Sequence, residues 1–300
     1  MSMPGPEERP PAPAGPEPQV LTGIVLMLIA MAIIPVMDAT AKALSDRLPI
    51  VQLVWARYFF HLMLFLPYVL WRHGRAVFRP RHPVLQVLRG AMLLSSTALF
   101  FASIALMPLA DALAVVFIYP FVITALSPLV LGERIGPRRW AAVATGFLGA
   151  LLIIRPGLGV LAPGVPFAVA AGLIFACYAL TTRKLAGSDP PLVTLTYTGL
   201  VGAVVTSALL PFEWVTPLAS DWPKMVLMGL CAAVGHLLII IAYEKAAASQ
   251  LAPFGYAEIV SATLLGWFIF GDFPDAVTWA GIAVVVASGV YISIREGRRR

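Results

Sequence analysis

Charge is what this sequence has least of. Only 12% of its 300 residues are Asp, Glu, Lys or Arg, while 60% are hydrophobic, and the mean hydropathy is +0.88. A soluble domain carries about 25% charged residues, so the composition excludes a water-facing surface of ordinary size. Cysteine is almost as scarce. Cys177 and Cys231 both lie inside apolar runs, where a thiol packs as a small side chain, and they give no disulfide framework. The chain has no Gly-x-x-x-x-Gly-Lys-Ser/Thr loop, which excludes a built-in nucleotide motor. It has no Gly-x-Ser-x-Gly elbow and no paired acidic motif for a prenyl diphosphate, so no catalytic residue is expected. His61, His73, His82 and His236 lack ligand spacing, and no His-Glu-x-x-His or Cys-x-x-Cys occurs, so neither a metal nor another cofactor is expected.

What the sequence does have is long apolar runs. In hydrocarbon every backbone amide and carbonyl must find its partner within the chain, and runs of about 20 residues do so as transmembrane helices. Ten spans are predicted, at 20–44, 51–71, 86–107, 111–131, 138–154, 163–183, 191–212, 222–245, 250–270 and 276–294. Helix breakers separate them, among them Pro49, Pro80, Pro108, Pro156, Pro190 and Pro274. The loops are short, so consecutive helices are expected to be antiparallel neighbours. Residues 1–19 are Pro-rich and read as a disordered tail. The first apolar run is too long for a cleaved signal peptide and contains Asp38 and Lys42.

The net charge of +6 does not point to nucleic acid, because the basic residues sit in short clusters between spans. With both termini in the cytoplasm, fifteen Lys and Arg fall on the inside and only Arg47, Arg155 and Lys224 outside, the bias that sets membrane orientation. An internal repeat fits this count. A shift of 139 residues superposes Leu131-Gly132-Glu133 on Phe270-Gly271-Asp272 and Trp140-Ala141 on Trp279-Ala280. Five helices per copy is an odd number, so the second copy enters the membrane inverted, as in many secondary transporters. The expected fold is an all-α membrane protein of ten transmembrane helices in two inverted five-helix repeats.

Three stretches carry a resemblance. They are Met37 to Lys42 followed by Arg57-Tyr58-Phe59-Phe60; Leu131-Gly132-Glu133-Arg134 leading to Ile154-Arg155-Pro156; and Leu251-Ala252-Pro253-Phe254 through Phe270-Gly271-Asp272. The chain resembles EamA-type members of the drug/metabolite transporter superfamily. On that resemblance residues 20–155 and 156–296 are the two repeats, flanked by the tail 1–19 and a basic cytoplasmic tail at 297–300. The resemblance implies a multi-pass protein of the bacterial inner membrane that moves a small organic solute. Relatives with similar motifs import S-adenosylmethionine or riboflavin or export amino acids. It further places Asp38, Tyr119, Tyr178, His236, Tyr256 and Glu258 around a central cavity.

The residues support their own reading. A charge at the bilayer centre costs about 2.5–3.5 kcal/mol on insertion scales and needs a partner, a wet cavity or a task. Asp38 and Lys42 share one face of the first span, and Arg57 and His61 one face of the second. Asp38 and Arg57 stand at similar depth, about 9–10 Å from the loop joining their helices, which predicts a cross-helix ion pair; the competing readings are helix–helix glue and direct substrate contact. Glu258 stands eight residues into the ninth span with apolar neighbours. It is expected to face a cavity and to bind a cation or take up a proton, or else to be a structural partner of Arg57, Lys42 or His236. His236 alone on an apolar stretch is more often a packing residue than a proton relay. Glu133 and Asp272 are expected to fix hairpin turns at opposite membrane faces, with the Trp140 and Trp279 rings in the headgroup layer. The small-residue stripe Ala142, Gly146, Ala150 is expected to seat the fifth span or support a homodimer. The expected function is secondary transport of a polar or zwitterionic metabolite, with lipid as the other partner and no nucleic acid. A passive channel or lipid-handling protein is the alternative, followed by an intramembrane enzyme.

Overall fold

The computed structural model describes residues 17–107, 109–154, 163–270, 276–277, 279–284 and 287, and among them there is no β-strand. The first three helices are long and uninterrupted: α1 (Glu17–Ser45), α2 (Ile50–His73) and α3 (Pro83–Leu106). Two short helices follow, α4 (Leu109–Val116) and α5 (Tyr119–Leu131), and then α6 (Pro137–Ile154). The C-terminal half contains α7 (Val165–Lys184), α8 (Pro191–Leu209), α9 (Asp221–Lys245), the single turn α10 (Ala248–Leu251) and α11 (Ala257–Phe270). Residues 276–277, 279–284 and 287 are helical as well, so the tenth predicted span is helical where it is described; the rest of it, like Asp272 and residues 1–16, lies outside the described residues.

Local sequence explains the boundaries. Pro83, Pro137 and Pro191 open their helices, where the missing N–H would have had no partner in any case. Pro18 lies in the first described turn of α1, where its missing N–H is tolerated. Leu131 ends α5 because Gly132 takes φ +67° and its N–H bonds back to the carbonyls of Ser127 and Pro128, a left-handed cap that favours glycine.

Among the described residues, seven segments, α10 and α11 counted as one, are long and apolar enough to cross a bilayer. Two predicted spans are not continuous helices. The fourth breaks between α4 and α5 at Phe117-Ile118, just before Pro120. The ninth begins as the α10 turn, passes through a 3₁₀ stretch at Ala252–Tyr256 containing Pro253, and becomes α11 only at Ala257. Each proline removes an amide from the α-helical ladder at the break.

The expectation that consecutive helices pack as neighbours is corrected. The most extensive contacts join the two halves: α1 lies against α9 and α11, α2 against α8 and α9, and α3 against α7 and α8. A short loop fixes direction but not partner, and the apolar faces are satisfied across the halves. The core follows this pattern, with Ile24, Met27, Met31 and Ile34 of α1 buried in one cluster with Ile239 and Tyr243 of α9.

Candidate functional site

A cavity of about 540 Å³, measured out to its mouth, lies where these inter-half contacts converge. Its charged wall is Asp38 from α1, Arg57 from α2 and Glu258 from the first turn of α11. Thr97 of α3, Tyr119 of α5 and His236 of α9 complete its polar surface. Phe100, Leu113 and Phe175 are among the apolar groups that close it.

Arg57 is 4% exposed, and its guanidinium is held from two sides. One terminal nitrogen donates to Thr97 Oγ1 and the other to His236 Nε2 at 2.7 Å. Thr97 is itself fixed, donating to the Leu93 carbonyl at 2.8 Å and contacting Tyr58 Oη at 3.2 Å. An arginine has only donors, so His236 Nε2 must accept. The ring proton is therefore on Nδ1, which stands 3.2 Å from Tyr178 Oη. His236 thus spends both ring nitrogens on orienting Arg57.

The predicted Asp38–Arg57 ion pair is not formed. The two residues share the cavity, but among the described residues neither has an ionic partner within 4.0 Å. Asp38 Oδ1 and Arg57 Nε are buried without a hydrogen bond. The charges on this wall therefore remain open, and most buried polar groups in proteins are not left in that condition.

The other sequence candidates lie outside the cavity wall. Lys42 does not turn towards Asp38; its Nζ donates to the Ile104 carbonyl in the last turn of α3, where a cation meets the negative helix end. His61 is buried between α2 and α8 against Gly199, its Nε2 without a partner among the described residues. Tyr178 stands behind His236, its ring 5.2 Å from the guanidinium carbon of Arg89. Tyr256 is fully buried against Gly146 of α6, and its hydroxyl has no partner among the described residues. The stripe containing Gly146 thus seats α6 against the bundle.

Sequence reasoning passed over Thr97 and Phe175, because one threonine or phenylalanine in an apolar run carries no flag. One signal was available. Thr97 and His236 stand 139 residues apart, as do Tyr119 and Glu258, the same offset that superposes the Gly-acid and Trp-Ala pairs. The two ligands of Arg57 are therefore repeat equivalents, and so are two further groups of the cavity wall.

The broken spans meet here as well. A Cβ on Gly255 would stand 2.2 Å from Tyr119 Oη, so the 3₁₀ stretch approaches Tyr119 at a distance only glycine allows. The rings of Phe117 and Tyr256, one from each break, lie 5.9 Å apart. Beyond Tyr119 and Phe175, whose rings form an edge-to-face pair at 4.8 Å, is a second, smaller cavity lined by Met27, Met31, Tyr243 and Gly255.

Polar contacts tie the halves together at both ends of the bundle. At the end where α1 finishes, Arg47 pairs with Asp221, and Gln52 exchanges two hydrogen bonds with Val215 at 2.8 and 3.0 Å. At the opposite end, Glu133 accepts from the amides of Ala248 and Ser249 and from the Ser249 hydroxyl at 2.7–3.1 Å. Asp189 there accepts from the Arg81 amide and from Gln86. Glu133 is thus more than a turn former, since it caps α10 in the other half.

Comparison with known proteins agrees with this architecture. The EamA-like transporter family matches twice, over residues 21–155 and 162–294. An S-adenosylmethionine uptake transporter of Rickettsia prowazekii is 25% identical over 92% of this chain and 94% of its own. A riboflavin transporter of Rhizobium johnstonii is 28% identical over 94% of each chain. The pseudopaline exporter of Pseudomonas aeruginosa is 30% identical over 91% of this chain and 96% of its own. A solved crystal structure shares the fold with a TM-score of 0.76, at 21% identity over 94% of this chain and 99% of that one. With the family matching nearly the whole described chain, this multi-pass protein belongs to the EamA-like transporter family and is a membrane transporter rather than an enzyme.

Proposed function

We propose that the protein is a secondary transporter that moves a small polar or zwitterionic metabolite across the bacterial inner membrane by alternating access. The observation that carries this reading is the meeting of Asp38, Arg57 and Glu258, otherwise costly in lipid, on one cavity wall between two interrupted helices. Broken helices at corresponding positions of two repeats mark binding sites in transporters of inverted-repeat design. In this reading residues 20–155 and 156–296 are the units that rock against each other, with both termini in the cytoplasm. Arg57, oriented by Thr97 and His236, and Glu258 hold the substrate, and Glu258 also supplies a group on which a proton is exchanged during the cycle. Tyr119 is a wall of the site, while Tyr178 and Tyr256 support it from behind. The relatives' substrates, S-adenosylmethionine, riboflavin and pseudopaline, bracket the class to be searched.

The test is mass-spectrometric profiling of metabolites gained or lost by cells expressing wild type or Glu258→Gln at matched membrane levels. A compound moved by wild type and not by the variant is the expected result, and it names the substrate. Equal transport by both removes Glu258 from the path. No moved compound at all contradicts the transporter reading.

A further inference from the structure

Away from the cavity, one stretch of the chain is basic without relief. Between Asp46 and Asp111 there is no acidic residue, and Arg72, Arg75, Arg79 and Arg81 follow one another closely within it. They flank or belong to the 3₁₀ turn Gly74–Phe78 that follows α2, and all four are exposed. Among the described residues no carboxylate lies within 4.0 Å of any of their guanidinium groups. Asp189 is the acid that reaches this segment, and its two oxygens are engaged by the Arg81 amide and by Gln86. Four like charges therefore share one short segment with no counter-ion from the protein.

The segment is tied down. Val77 is buried in a cluster with Val69, Val193 and Tyr197, and the Tyr197 hydroxyl donates to the Phe78 carbonyl at 3.1 Å. Val193 and Tyr197 belong to α8, so the turn joins the end of α2 to the other half of the molecule. Around it Tyr68, Trp71 and Phe78 are 50%, 80% and 44% exposed. Tyr and Trp rings are enriched in the headgroup layer of a bilayer, where the neighbouring cations meet phosphate.

The internal repeat offers a comparison. The 139-residue offset carries residues 72–81 onto 211–220, and there α8 likewise runs into a 3₁₀ turn, Leu210–Phe212. Phe212 and Trp214 are exposed in that stretch too, but it has no basic residue and contains Glu213. Exposed rings thus occur at both ends of the bundle, whereas the arginines belong to one. Membrane orientation accounts for the sign of this bias. It does not require that four unpaired guanidinium groups gather on a turn anchored to both halves.

We propose that this turn is a docking site for the headgroup of an anionic phospholipid. Arg72, Arg75 and Arg79 bind its phosphate oxygens, and Trp71 and Phe78 lie against the glycerol and the upper acyl chains. The planar fork of an arginine matches two phosphate oxygens, and each arginine beside the membrane favours anionic lipid by about fivefold. A soluble phosphate would satisfy the guanidinium groups and leave the rings in water. In the orientation proposed above the lipid comes from the cytoplasmic leaflet, and by holding the turn it braces α2 against α8.

Thermal unfolding of the purified protein in dodecyl maltoside tests this, with titration of phosphatidylglycerol, of phosphatidylcholine with the same acyl chains, and of glycerol 3-phosphate. The unfolding midpoint is expected to rise with phosphatidylglycerol alone, and the rise should shrink at high salt. Arg72→Gln/Arg75→Gln/Arg79→Gln should weaken the apparent affinity for phosphatidylglycerol by about a hundredfold, and Arg75→Gln, the milder variant should the triple one not fold, by about fivefold. Arg298→Gln/Arg299→Gln/Arg300→Gln removes the same charge from the C-terminal tail and should leave the affinity unchanged. An equal rise with phosphatidylcholine overturns the need for an anionic headgroup. An equal rise with glycerol 3-phosphate overturns the lipid in favour of a soluble anion, and a loss in the tail variant as large as in the turn variant overturns the location.

Discussion

At the scale of single residues, the groups that could be located from sequence were those whose presence in lipid demands a reason. Asp38, Arg57 and Glu258 announce themselves as charges in apolar runs, and all three reach the cavity wall. Four-residue spacing was a poorer guide. It put Lys42 with Asp38 and His61 with Arg57 on shared helix faces, but spacing does not say what the adjacent helix offers, and the α3 carbonyl end captured Lys42. Gly255 is the residue whose role sequence could least reveal, since only the approach of Tyr119 makes its missing side chain necessary. Gly255→Ala is therefore expected to lose about 1–3 kcal/mol of stability through overpacking, read as a lower unfolding midpoint together with reduced transport. Tyr119→Phe in the same chain removes the atom nearest the new methyl group and should restore part of both. Loss without any rescue would show that the close approach to Tyr119 is not the cause.

Among elements, the informative ones are the two that are not regular. Pro120 and Pro253 place helix breaks at spanning depth within the apolar runs 111–131 and 250–270, and the structure interrupts both. Continuity of hydropathy reports depth in the membrane and says nothing of hydrogen-bond register, which proline alone disturbs. The α10 turn at the second break is too short to stabilise itself, and its first two amides, buried and without a partner inside the turn, are satisfied by Glu133. Glu133→Ala should thus cost about 1.5–3 kcal/mol, the usual worth of hydrogen bonds to a charged group. Glu133→Gln, which keeps an acceptor oxygen, should cost less. Chemical unfolding of the protein in mild detergent checks the order. Equal stability of Glu133→Ala and wild type would remove the cap from the account. Helix pairing was not legible at this scale, because a short loop constrains where a helix starts but not which apolar face it buries against.

For the whole molecule, the 139-residue offset was the deepest signal in the sequence. Found in the Gly-acid and Trp-Ala motifs, it also relates Thr97 to His236 and Tyr119 to Glu258, so the site is built from equivalent positions of the two halves. What the offset does not contain is the extent to which the halves interpenetrate, with α1, α2 and α3 packed mainly against the C-terminal half. The contacts at the two ends, Arg47 with Asp221 and Glu133 with the start of α10, are cross-half closures. Alternating access requires each to open while the other stays shut. The most direct measurement is transport by proteoliposomes containing Arg47→Cys/Asp221→Cys in a background free of Cys177 and Cys231, before and after bridging the new thiols with Hg²⁺. The account predicts that exchange of the compound identified by profiling stops on bridging and returns when excess dithiol displaces the mercury; exchange that continues through the bridge would contradict movement of the two halves around the cavity.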